Sequence, residues 1–430
     1  MTTTKEIYKL FQKFPRISTD SRKIEKNSIF FALKGDNFNG NMYAAAAIQQ
    51  GAAIAIIDEK EFEISDKTIL VKNALITLQE LASIHRETLG LPILGITGTN
   101  GKTTTKELVA AILAQKFKVK FTQGNLNNHI GVPLTLLKMN SETEFGVVEM
   151  GANHPGEIAK LCEITNPDYG IITNIGKAHL EGFGSFEGII KTKSELFSHL
   201  MKKNGTIFYN NENSILVDLV DKFQNKISFG TKNADITGEL LQSLPYIHIK
   251  TNFKKGVLYL NTKLIGDYNF ENIMAAVCIG SHFGVDPLKI QIALKEYVPD
   301  NSRSQLIEKG ELKIIMDAYN ANPTSMQASI KSFLSGGSNN NVLILGDMLE
   351  LGDYSQQEHI NILNLLKSYQ TGDIFLVGEI FSKIAGKYNY KHFIKVEQLC
   401  EFLNKSHIKK ANVLIKGSRG IQLEKVLDYL

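Results

Sequence analysis

Residues 91–106, with the sequence LPILGITGTNGKTTTK, constrain the fold more than any other part of the chain. The stretch opens with an apolar run that predicts a buried strand, and Thr103 opens a helical pattern. Between them lie Gly98 and Gly101, where a backbone without Cβ atoms lets an anion approach closely. A strand, a glycine turn and a helix N-terminus in this order predict a phosphate-binding loop.

The residues after this turn carry the chemistry that a bound nucleotide requires. Lys102 can reach the outer phosphates as a point charge, and the hydroxyl of Thr103 is placed to ligate Mg²⁺. The general pattern has glycine where this chain has Ile96, with Gly95 and Gly98 on either side. The alternative is a glycine-rich turn with a solvated lysine, but the order of the features favours the phosphate loop.

The composition indicates an ordinary α/β protein. The 430 residues suffice for two or three domains, and 43% are hydrophobic and 21% charged. The net charge of +4 is too small to indicate binding to nucleic acid or a membrane surface. We find no signal-peptide pattern and no run of 18 apolar residues, and the three cysteines suit a reducing compartment. We therefore expect a cytoplasmic protein.

Three domains are predicted from the strand and helix patterns, all of the α/β class. Residues 1–87 form a small N-terminal α/β domain that we interpret as a substrate-binding unit. Residues 88–299 alternate strands with helices, which predicts a mostly parallel sheet around the phosphate loop, with hairpins over 233–266. Residues 300–430 predict a C-terminal Rossmann-like α/β domain, which we expect to close over the nucleotide site.

Polar side chains in the central domain are candidates for the site. Glu149 ends a strand predicted beside the phosphate loop, where Mg²⁺ needs a carboxylate, although a strand-terminal glutamate can also simply face water. His179 lies on a glycine-rich loop after another strand and is either functional or structural. Asn269 and Asn272 share one side of a predicted helix, where they read a base edge or cap the helix.

Three other segments leave their roles open. The loop at residues 122–133 lines a polar substrate or only connects two elements. Ser21 and Arg22 hold an anion or belong to a surface turn. On the helix predicted at 186–200, Lys193 and its neighbour Lys191 lie mostly off the apolar face, so the pattern predicts a solvated surface for both.

Five segments together resemble the Mur ligase family, and the resemblance extends from Asp20 to Arg419. The phosphate loop by itself is shared with relatives such as folylpolyglutamate synthases. The two C-terminal segments are typical of the branch that adds D-alanyl-D-alanine. The five segments are 98–104, 149–153, 174–185, 317–326 and 345–352.

This resemblance implies an ATP-dependent amide ligase of peptidoglycan synthesis. ATP would phosphorylate the terminal carboxylate of UDP-N-acetylmuramoyl-tripeptide, and the amine of D-alanyl-D-alanine would displace phosphate from the acyl phosphate. The implied cofactors are ATP and two Mg²⁺ ions, and the partners are small molecules rather than nucleic acid or membrane. With no long exposed apolar stretch in the sequence, we expect a monomer.

The resemblance also implies roles for individual residues. Lys102 would neutralise the β- and γ-phosphates, and Arg303 would approach the transferred phosphoryl group. Thr103 and Glu149 would hold the first Mg²⁺, and His179 with a carbamylated Lys193 the second; Lys191 is the alternative lysine. The other implied contacts are Gly98, Thr99, Asn100, Gly101 and Thr104 at the phosphates, Asn269 and Asn272 at adenine, Asp317 at the ribose, Ser21 and Arg22 near uridine, and Asn127, Asn128, Asn320 and Asn322 at the substrates.

The chain departs from the family pattern in two places. Met316 stands where the family has a first acid before Asp317, so no metal role is expected there. Asn39 and Asn41 flank Gly40 where the family has an aspartate and a histidine. Two other functions are open: a ligase that adds a single amino acid or glutamate, and a nucleotide-dependent switch that only binds or hydrolyses ATP.

Overall fold

A computed structural model describes residues 2–253, 256–299, 303–337, 340–369 and 372–430. Three sheets of four, nine and six strands succeed one another along the chain, and helices connect most of their strands. Most neighbouring strands run parallel, as expected when helices form the crossovers. The prediction of an α/β fold with three domains is therefore confirmed.

The N-terminal part folds around a four-stranded parallel sheet in the order β1-β2-β5-β6. The side chains of Thr3 and Glu6 form a capping box that fixes the first helical turn. The strands are β1 (Ile17–Ser18), β2 (Ile29–Phe31), β3 (Lys34–Gly35), β4 (Phe38–Asn39), β5 (Ile54–Ile57) and β6 (Thr68–Leu70). The helices are α1 (Thr4–Lys13), α2 (Ala44–Gln49) and α3 (Ala74–Leu89).

The central part contains the nine-stranded sheet, in the order β15-β14-β13-β12-β11-β10-β7-β9-β8. Its strands are β7 (Ile93–Thr97), β8 (Val119–Phe121), β9 (Phe145–Glu149), β10 (Tyr169–Ile172), β11 (Thr206–Asn210), β12 (Lys226–Gly230), β13 (Ile236–Gln242), β14 (His248–Phe253) and β15 (Gly256–Asn261). Its helices are α4 (Lys102–Leu113), α5 (Gly131–Leu137), α6 (Glu157–Thr165), α7 (Leu180–Phe183), α8 (Phe186–Lys202), α9 (Ser214–Val220), α10 (Asn269–His282) and α11 (Pro287–Glu296).

Strand β7 is an interior strand of this sheet, between β10 and β9, and all five of its residues are buried. A strand covered on both faces reads as a continuous apolar run, which is why its position was predictable. At the β15 side of the sheet, β14 pairs antiparallel with both β13 and β15. The predicted hairpins are therefore also confirmed.

The C-terminal part has six strands in the order β16-β17-β21-β18-β19-β20. The strands are β16 (Gln305–Lys309), β17 (Leu312–Asp317), β18 (Asn341–Gly346), β19 (Ile374–Val377), β20 (Lys391–Phe393) and β21 (Ala411–Lys416). The helices are α12 (Pro323–Leu334), α13 (Ser355–Lys367), α14 (Glu379–Ala385) and α15 (Val396–Lys405). The four predicted apolar strands are present, whereas the outer strands β16 and β20 are largely unburied and gave no apolar signal.

The central and C-terminal parts contact each other at the carboxyl ends of their strands, where polar residues follow. The amide of Asn322, before α12, donates to Asn100 of the phosphate loop at 2.8 Å. Lys177 pairs with Glu358 of α13 at 2.7 Å. A cleft of about 1320 Å³ lies along this seam. Among the described residues, no helix combines the length and the apolar character needed to cross a bilayer.

Candidate active site

The turn between β7 and α4 has the backbone of an anion-binding loop. Gly98 and Gly101 have φ angles of 143° and 77°, which L side chains rarely adopt. A Cβ on Gly98 would stand 2.0 Å from the hydroxyl of Thr173, and one on Gly101 would stand 2.2 Å from the amide oxygen of Asn272. At both positions any other side chain would clash with these atoms and would also disfavour the backbone conformation, so glycine is required.

The end of β10 holds this turn in place. Thr173 donates its hydroxyl to the carbonyl of Asn100 at 2.6 Å, and the side-chain oxygen of Asn174 accepts the Asn100 N–H at 3.0 Å. Thr99 donates its own hydroxyl to Gly176 at 3.1 Å. The loop is thus preorganised by its neighbours at the N-terminus of α4, where the unpaired backbone N–H groups of a helix favour an anion.

Lys102 carries the positive charge of the loop. Its ammonium group donates to the carbonyl oxygens of Gly98 and Thr99, at 2.8 and 3.0 Å. Burial lowers the pKa of Lys102, the nearby Arg303 lowers it further, and Glu149 opposes the change. A bound polyphosphate would favour the charged form of this lysine, because an adjacent anion offsets the loss of hydration.

Glu149 forms a buried oxygen-rich group with its neighbours. Its carboxylate accepts the hydroxyl of Thr103 at 2.9 Å and the side-chain amide of Asn127 at 2.8 Å. The Lys106 ammonium lies 3.7 Å away, completely buried and without a hydrogen-bond acceptor. Glu149 does not face open water, so that alternative is wrong. No trio of His, Cys, Asp or Glu side chains forms a ready cage among the described residues.

The solvated-surface prediction is correct for Lys191 and wrong for Lys193. Lys191 is exposed, whereas the side chain of Lys193 is 2% exposed and donates to the Ala152 carbonyl at 3.4 Å. Helix α8 packs on α6 as well as on the sheet, and Glu195 accepts two N–H groups at the start of α6. Burial, reinforced by Lys102, lowers the pKa of Lys193 to about 7.

His179 immediately precedes α7 and lines the cleft. Its φ is 50°, and its Nδ1 lies 2.5 Å from a carboxylate oxygen of Glu350, across the seam between the sheets. The ring also packs edge-on against Phe183. An orientation enforced by a neighbouring domain argues against a merely exposed loop histidine.

Asn269 and Asn272 are buried at the start of α10. The amide of Asn272 donates to the side-chain oxygen of Asn269 at 2.8 Å and accepts the Thr105 hydroxyl at 3.1 Å. The N-cap residue is Tyr268, which makes no capping bond through its side chain, so the helix-capping alternative is wrong. Both asparagines line the cleft. Contact with a base remains a prediction.

The C-terminal face of the cleft is lined by charges at strand ends. Asp317 ends β17, and its carboxylate lies 2.5 Å from the buried ammonium of Lys416, at the end of β21. The guanidinium of Arg303 stacks 3.8 Å from the ring centre of Tyr319. Met316 is 1% exposed and belongs to the core, so it contributes no metal ligand.

The cleft collects most of the residues predicted for the site. Gly98 belongs to the phosphate loop but does not line the cleft. Lys193 donates to Ala152, a residue of the cleft wall. Ser21 and Arg22 lie in a turn outside the cleft, where Arg22 bonds to Asp20. Those that line the cleft are Thr99, Asn100, Gly101, Lys102, Thr103, Thr104, Asn127, Asn128, Glu149, His179, Asn269, Asn272, Arg303, Asp317, Asn320 and Asn322.

The loop that departs from the family pattern has its own network. Asn41 is completely buried and donates its amide to Asp58 at 2.9 Å, while its side-chain oxygen accepts the Asp58 N–H at 3.0 Å. Asn39 donates to Glu59 at 2.9 Å. These asparagines replace the expected aspartate and histidine as structural groups that hold the loop against β5.

Sequence reasoning assigned no role to Lys106, Asn174, Glu350 or Lys416, all of which contact predicted site residues. Lys416 and Glu350 lie in polar segments that follow C-terminal strands, and this placement was a usable signal. Lys106 gave no signal, because a lysine on a helix is usually solvated.

Comparison with known proteins places this site in a family. The models described as "Mur ligase family, catalytic domain", "Mur ligase middle domain" and "Mur ligase, glutamate ligase domain" match residues 13–88, 96–280 and 302–419. The chain belongs to the Mur ligase family. It is 34% identical over 425 residues to the UDP-N-acetylmuramoyl-tripeptide–D-alanyl-D-alanine ligase of Bacillus subtilis (strain 168), covering 96% of this chain and 92% of that protein.

Solved structures agree with this relationship. A crystal structure of MurF from Acinetobacter baumannii superimposes with a TM-score of 0.88 at 30% identity, covering 99% of this chain and 98% of that one. The MurF ligase of Thermotoga maritima, in complex with ADP, gives 0.83 at 29% identity and 96% coverage of each chain. The resemblance inferred from five sequence segments is therefore confirmed.

Proposed function

We propose that the protein is an ATP-dependent ligase that joins D-alanyl-D-alanine to the terminal carboxylate of UDP-N-acetylmuramoyl-tripeptide, a step of peptidoglycan synthesis. One observation carries the proposal. A phosphate loop, a buried carboxylate and four cationic or metal-binding side chains from separate elements border one cleft or its wall: Lys102, His179, Lys193 and Arg303. A switch that only binds ATP needs no such set, whereas joining two anionic substrates does.

ATP is the proposed nucleotide, and the MurF relative from Thermotoga maritima is in complex with ADP. The loop N–H groups and Lys102 would hold the β- and γ-phosphates. Asn269 and Asn272 would contact adenine, and Asp317 the ribose. Arg303, 3.8 Å from the ring centre of Tyr319, carries a delocalised cation that would approach the transferred phosphoryl group.

The donor set fits Mg²⁺. The Thr103 hydroxyl and the Glu149 carboxylate already lie 2.9 Å apart, and a hard cation prefers such oxygen ligands. His179 and Lys193 are proposed for a second ion. When bound, the ions would offset the repulsion between ATP and the substrate carboxylate. Because the described residues form no closed cage, phosphate oxygens and water would complete the coordination.

Lys193 is proposed to carry a carbamate. With a pKa of about 7, a large fraction of its amine is unprotonated at neutral pH and can attack CO₂. The nitrogen–carbon bond that forms converts the neutral amine into a carbamate, an anionic oxygen ligand, with release of one proton. The exposed Lys191 does not share this environment and is the weaker candidate.

The reaction then has two steps. The substrate carboxylate takes the γ-phosphoryl group, giving an acyl phosphate and ADP. The free amine of the dipeptide attacks the acyl carbon, the C–N bond forms, and phosphate leaves as the amine loses its proton. The contacts of Asn322 and Glu358 across the seam would keep the two domains together and limit entry of water to the acyl phosphate.

The remaining assignments are proposals of the same kind. Residues 1–87 would bind the UDP part, with Ser21 and Arg22 on the uridine side. Residues 88–299 would bind ATP, and residues 300–430 would close as the Rossmann-like ligase domain. Asn127, Asn128, Asn320 and Asn322 would face the substrates. The enzyme would act as a monomer in the cytoplasm.

The test is phosphate release from ATP and Mg²⁺ with UDP-muramoyl tripeptide, measured with and without D-alanyl-D-alanine. Release that needs both substrates, with a product heavier by the dipeptide, supports the proposal. Release supported by a single amino acid or by glutamate would indicate another ligase of the family. Release without substrate dependence would contradict a ligase and leave a P-loop ATPase. A His179→Ala variant that binds ATP but does not ligate would exclude the switch.

A further inference from the structure

Two residues with unusual backbone conformations face each other across the seam between the central and C-terminal sheets. His179 has a φ of 50° and Glu350 a φ of 63°, both in the left-handed region that non-glycine residues rarely occupy. The imidazole Nδ1 lies 2.5 Å from a carboxylate oxygen of Glu350. Strained residues persist only where the surroundings determine them, and they are concentrated at functional sites.

The loop that carries Glu350 is fixed by its other residues. The buried Asp347 accepts the N–H groups of Ile380 and Phe381 at the start of α14, both at 2.9 Å. Met348 donates its N–H to His359, and Leu349 donates its N–H to the hydroxyl of Ser418, each at 3.0 Å. These bonds fix the three residues before Glu350, whose carboxylate contacts His179 across the seam.

A carboxylate beside an imidazole determines which ring nitrogen carries the proton. At 2.5 Å from Glu350, Nδ1 is within ion-pair distance but has no aligned hydrogen-bond partner. With its proton on Nδ1, facing this carboxylate, the ring keeps the Nε2 lone pair for a metal ion. Histidine ligands usually donate their second ring N–H to such a carboxylate, which fixes both the tautomer and the ring orientation. Here the carboxylate comes from a different domain than the histidine.

We propose that Glu350 is a positioning residue that orients His179 through Nδ1 and directs Nε2 to the metal bound at the nucleotide. This deepens the proposed function and rests on it for the role of the metal. Because Glu350 belongs to the C-terminal domain, the histidine is fully oriented only when that domain is docked. The ligand set of the second ion is then completed by domain closure, before phosphoryl transfer.

Full-length Glu350→Ala and Glu350→Gln variants test this positioning role. Glutamine keeps an acceptor oxygen, whereas alanine removes it. Glu358→Gln is the matched control, because it breaks the Lys177 ion pair across the same seam without touching His179. The first readout is the ¹⁵N spectrum of protein labelled on its 10 histidines, with His179 assigned from a His179→Gln sample. The second is Mn²⁺ binding, measured by EPR with AMP-PNP and UDP-muramoyl tripeptide.

In wild type and in Glu350→Gln, His179 should show the tautomer protonated on Nδ1. Glu350→Ala should lose this preference and weaken Mn²⁺ binding about 10- to 100-fold, the usual effect of removing such a partner. Glu358→Gln should keep the wild-type tautomer and lose clearly less Mn²⁺ affinity than Glu350→Ala, because Asn322 still holds the seam.

An unchanged His179 tautomer in Glu350→Ala would overturn the proposal, as would equal Mn²⁺ losses in Glu350→Ala and the Glu358→Gln control. Loss of the tautomer in Glu350→Gln would also overturn it, because an acceptor oxygen is still present. Failure of the proposed function is distinct: wild type would then release no phosphate in response to its substrates, while the tautomer measurement could still be read.

Discussion

Replacing Lys193 by methionine should abolish ligation and at the same time stabilise the fold. The lysine side chain is 2% exposed and its ammonium has a single long bond, 3.4 Å to the Ala152 carbonyl. Methionine has a similar length and no charge to desolvate. The neighbouring Lys191→Met is the matched control, because that lysine is exposed on the same helix.

The magnitude follows from the pKa. Each pKa unit separates the charged and neutral forms by about 1.4 kcal/mol, so lowering the pKa of Lys193 from 10.5 to about 7 costs the fold about 4 kcal/mol at pH 7. Allowing about 1 kcal/mol for imperfect packing of the new side chain, Lys193→Met should gain about 3 kcal/mol in free energy of unfolding.

The sign of the pH dependence gives a second check. Between pH 7 and 10.5 the unfolded chain binds the proton at residue 193 and the folded protein does not, so wild-type stability rises with pH. This group alone contributes up to about 1.4 kcal/mol per pH unit. The Lys193→Met variant should lose this contribution, and Lys191→Met should keep it.

Urea denaturation from pH 7 to 9 in CO₂-free buffer measures both effects, since the absence of CO₂ prevents a carbamate. Phosphate release with both substrates measures ligation in parallel. The reasoning is refuted if Lys193→Met is no more stable than Lys191→Met and keeps the wild-type dependence on pH. It is also refuted if Lys193→Met remains an active ligase.

Three further substitutions have defined outcomes. Gly101→Ala should abolish ATP binding in equilibrium dialysis, because its Cβ would stand 2.2 Å from a buried amide oxygen at a φ of 77°. Arg86→Met should lower the free energy of unfolding in urea by about 3 kcal/mol, since it removes the bonds of a buried guanidinium to the Thr165 and Asn166 carbonyls and to Asp168. Lys106→Met should lower the Mg²⁺ concentration for half-maximal activity several-fold, because it removes a fixed cation 3.7 Å from Glu149.

Each of these has a control elsewhere in the chain. Gly35→Ala places its Cβ in open space and should bind ATP normally. Arg16→Met removes an ion pair that is more than 60% exposed and should change stability by less than about 0.5 kcal/mol. Lys191→Met should not change the Mg²⁺ requirement. A control that behaves like its test variant would contradict the corresponding explanation.

Local chemistry explains which parts of the site could be predicted from the sequence. The phosphate loop is encoded within one short segment, because strand, glycines and helix follow each other directly in the chain. The strand-end position of Glu149 is similar, since the carboxyl ends of neighbouring parallel strands meet at one edge. In both cases periodicity and turn residues were enough to locate the group.

The environment of Lys193 could not be predicted in this way. Helical periodicity identifies one apolar face, but α8 is covered on a second side by α6, so a polar position became buried. The contact of His179 with Glu350 depends on how two domains dock, which no local pattern records. The asparagines at 39 and 41 show the same limit, because their partners Asp58 and Glu59 lie in the turn after β5.

Several charged groups of the site have partners within the protein. The Lys102 ammonium rests on two carbonyls, Asp317 is paired with Lys416, and His179 lies against Glu350. A polyphosphate that binds Lys102 would compete with these two carbonyls for its ammonium. Such an exchange costs part of the binding energy but places the charge on the phosphates that are transferred.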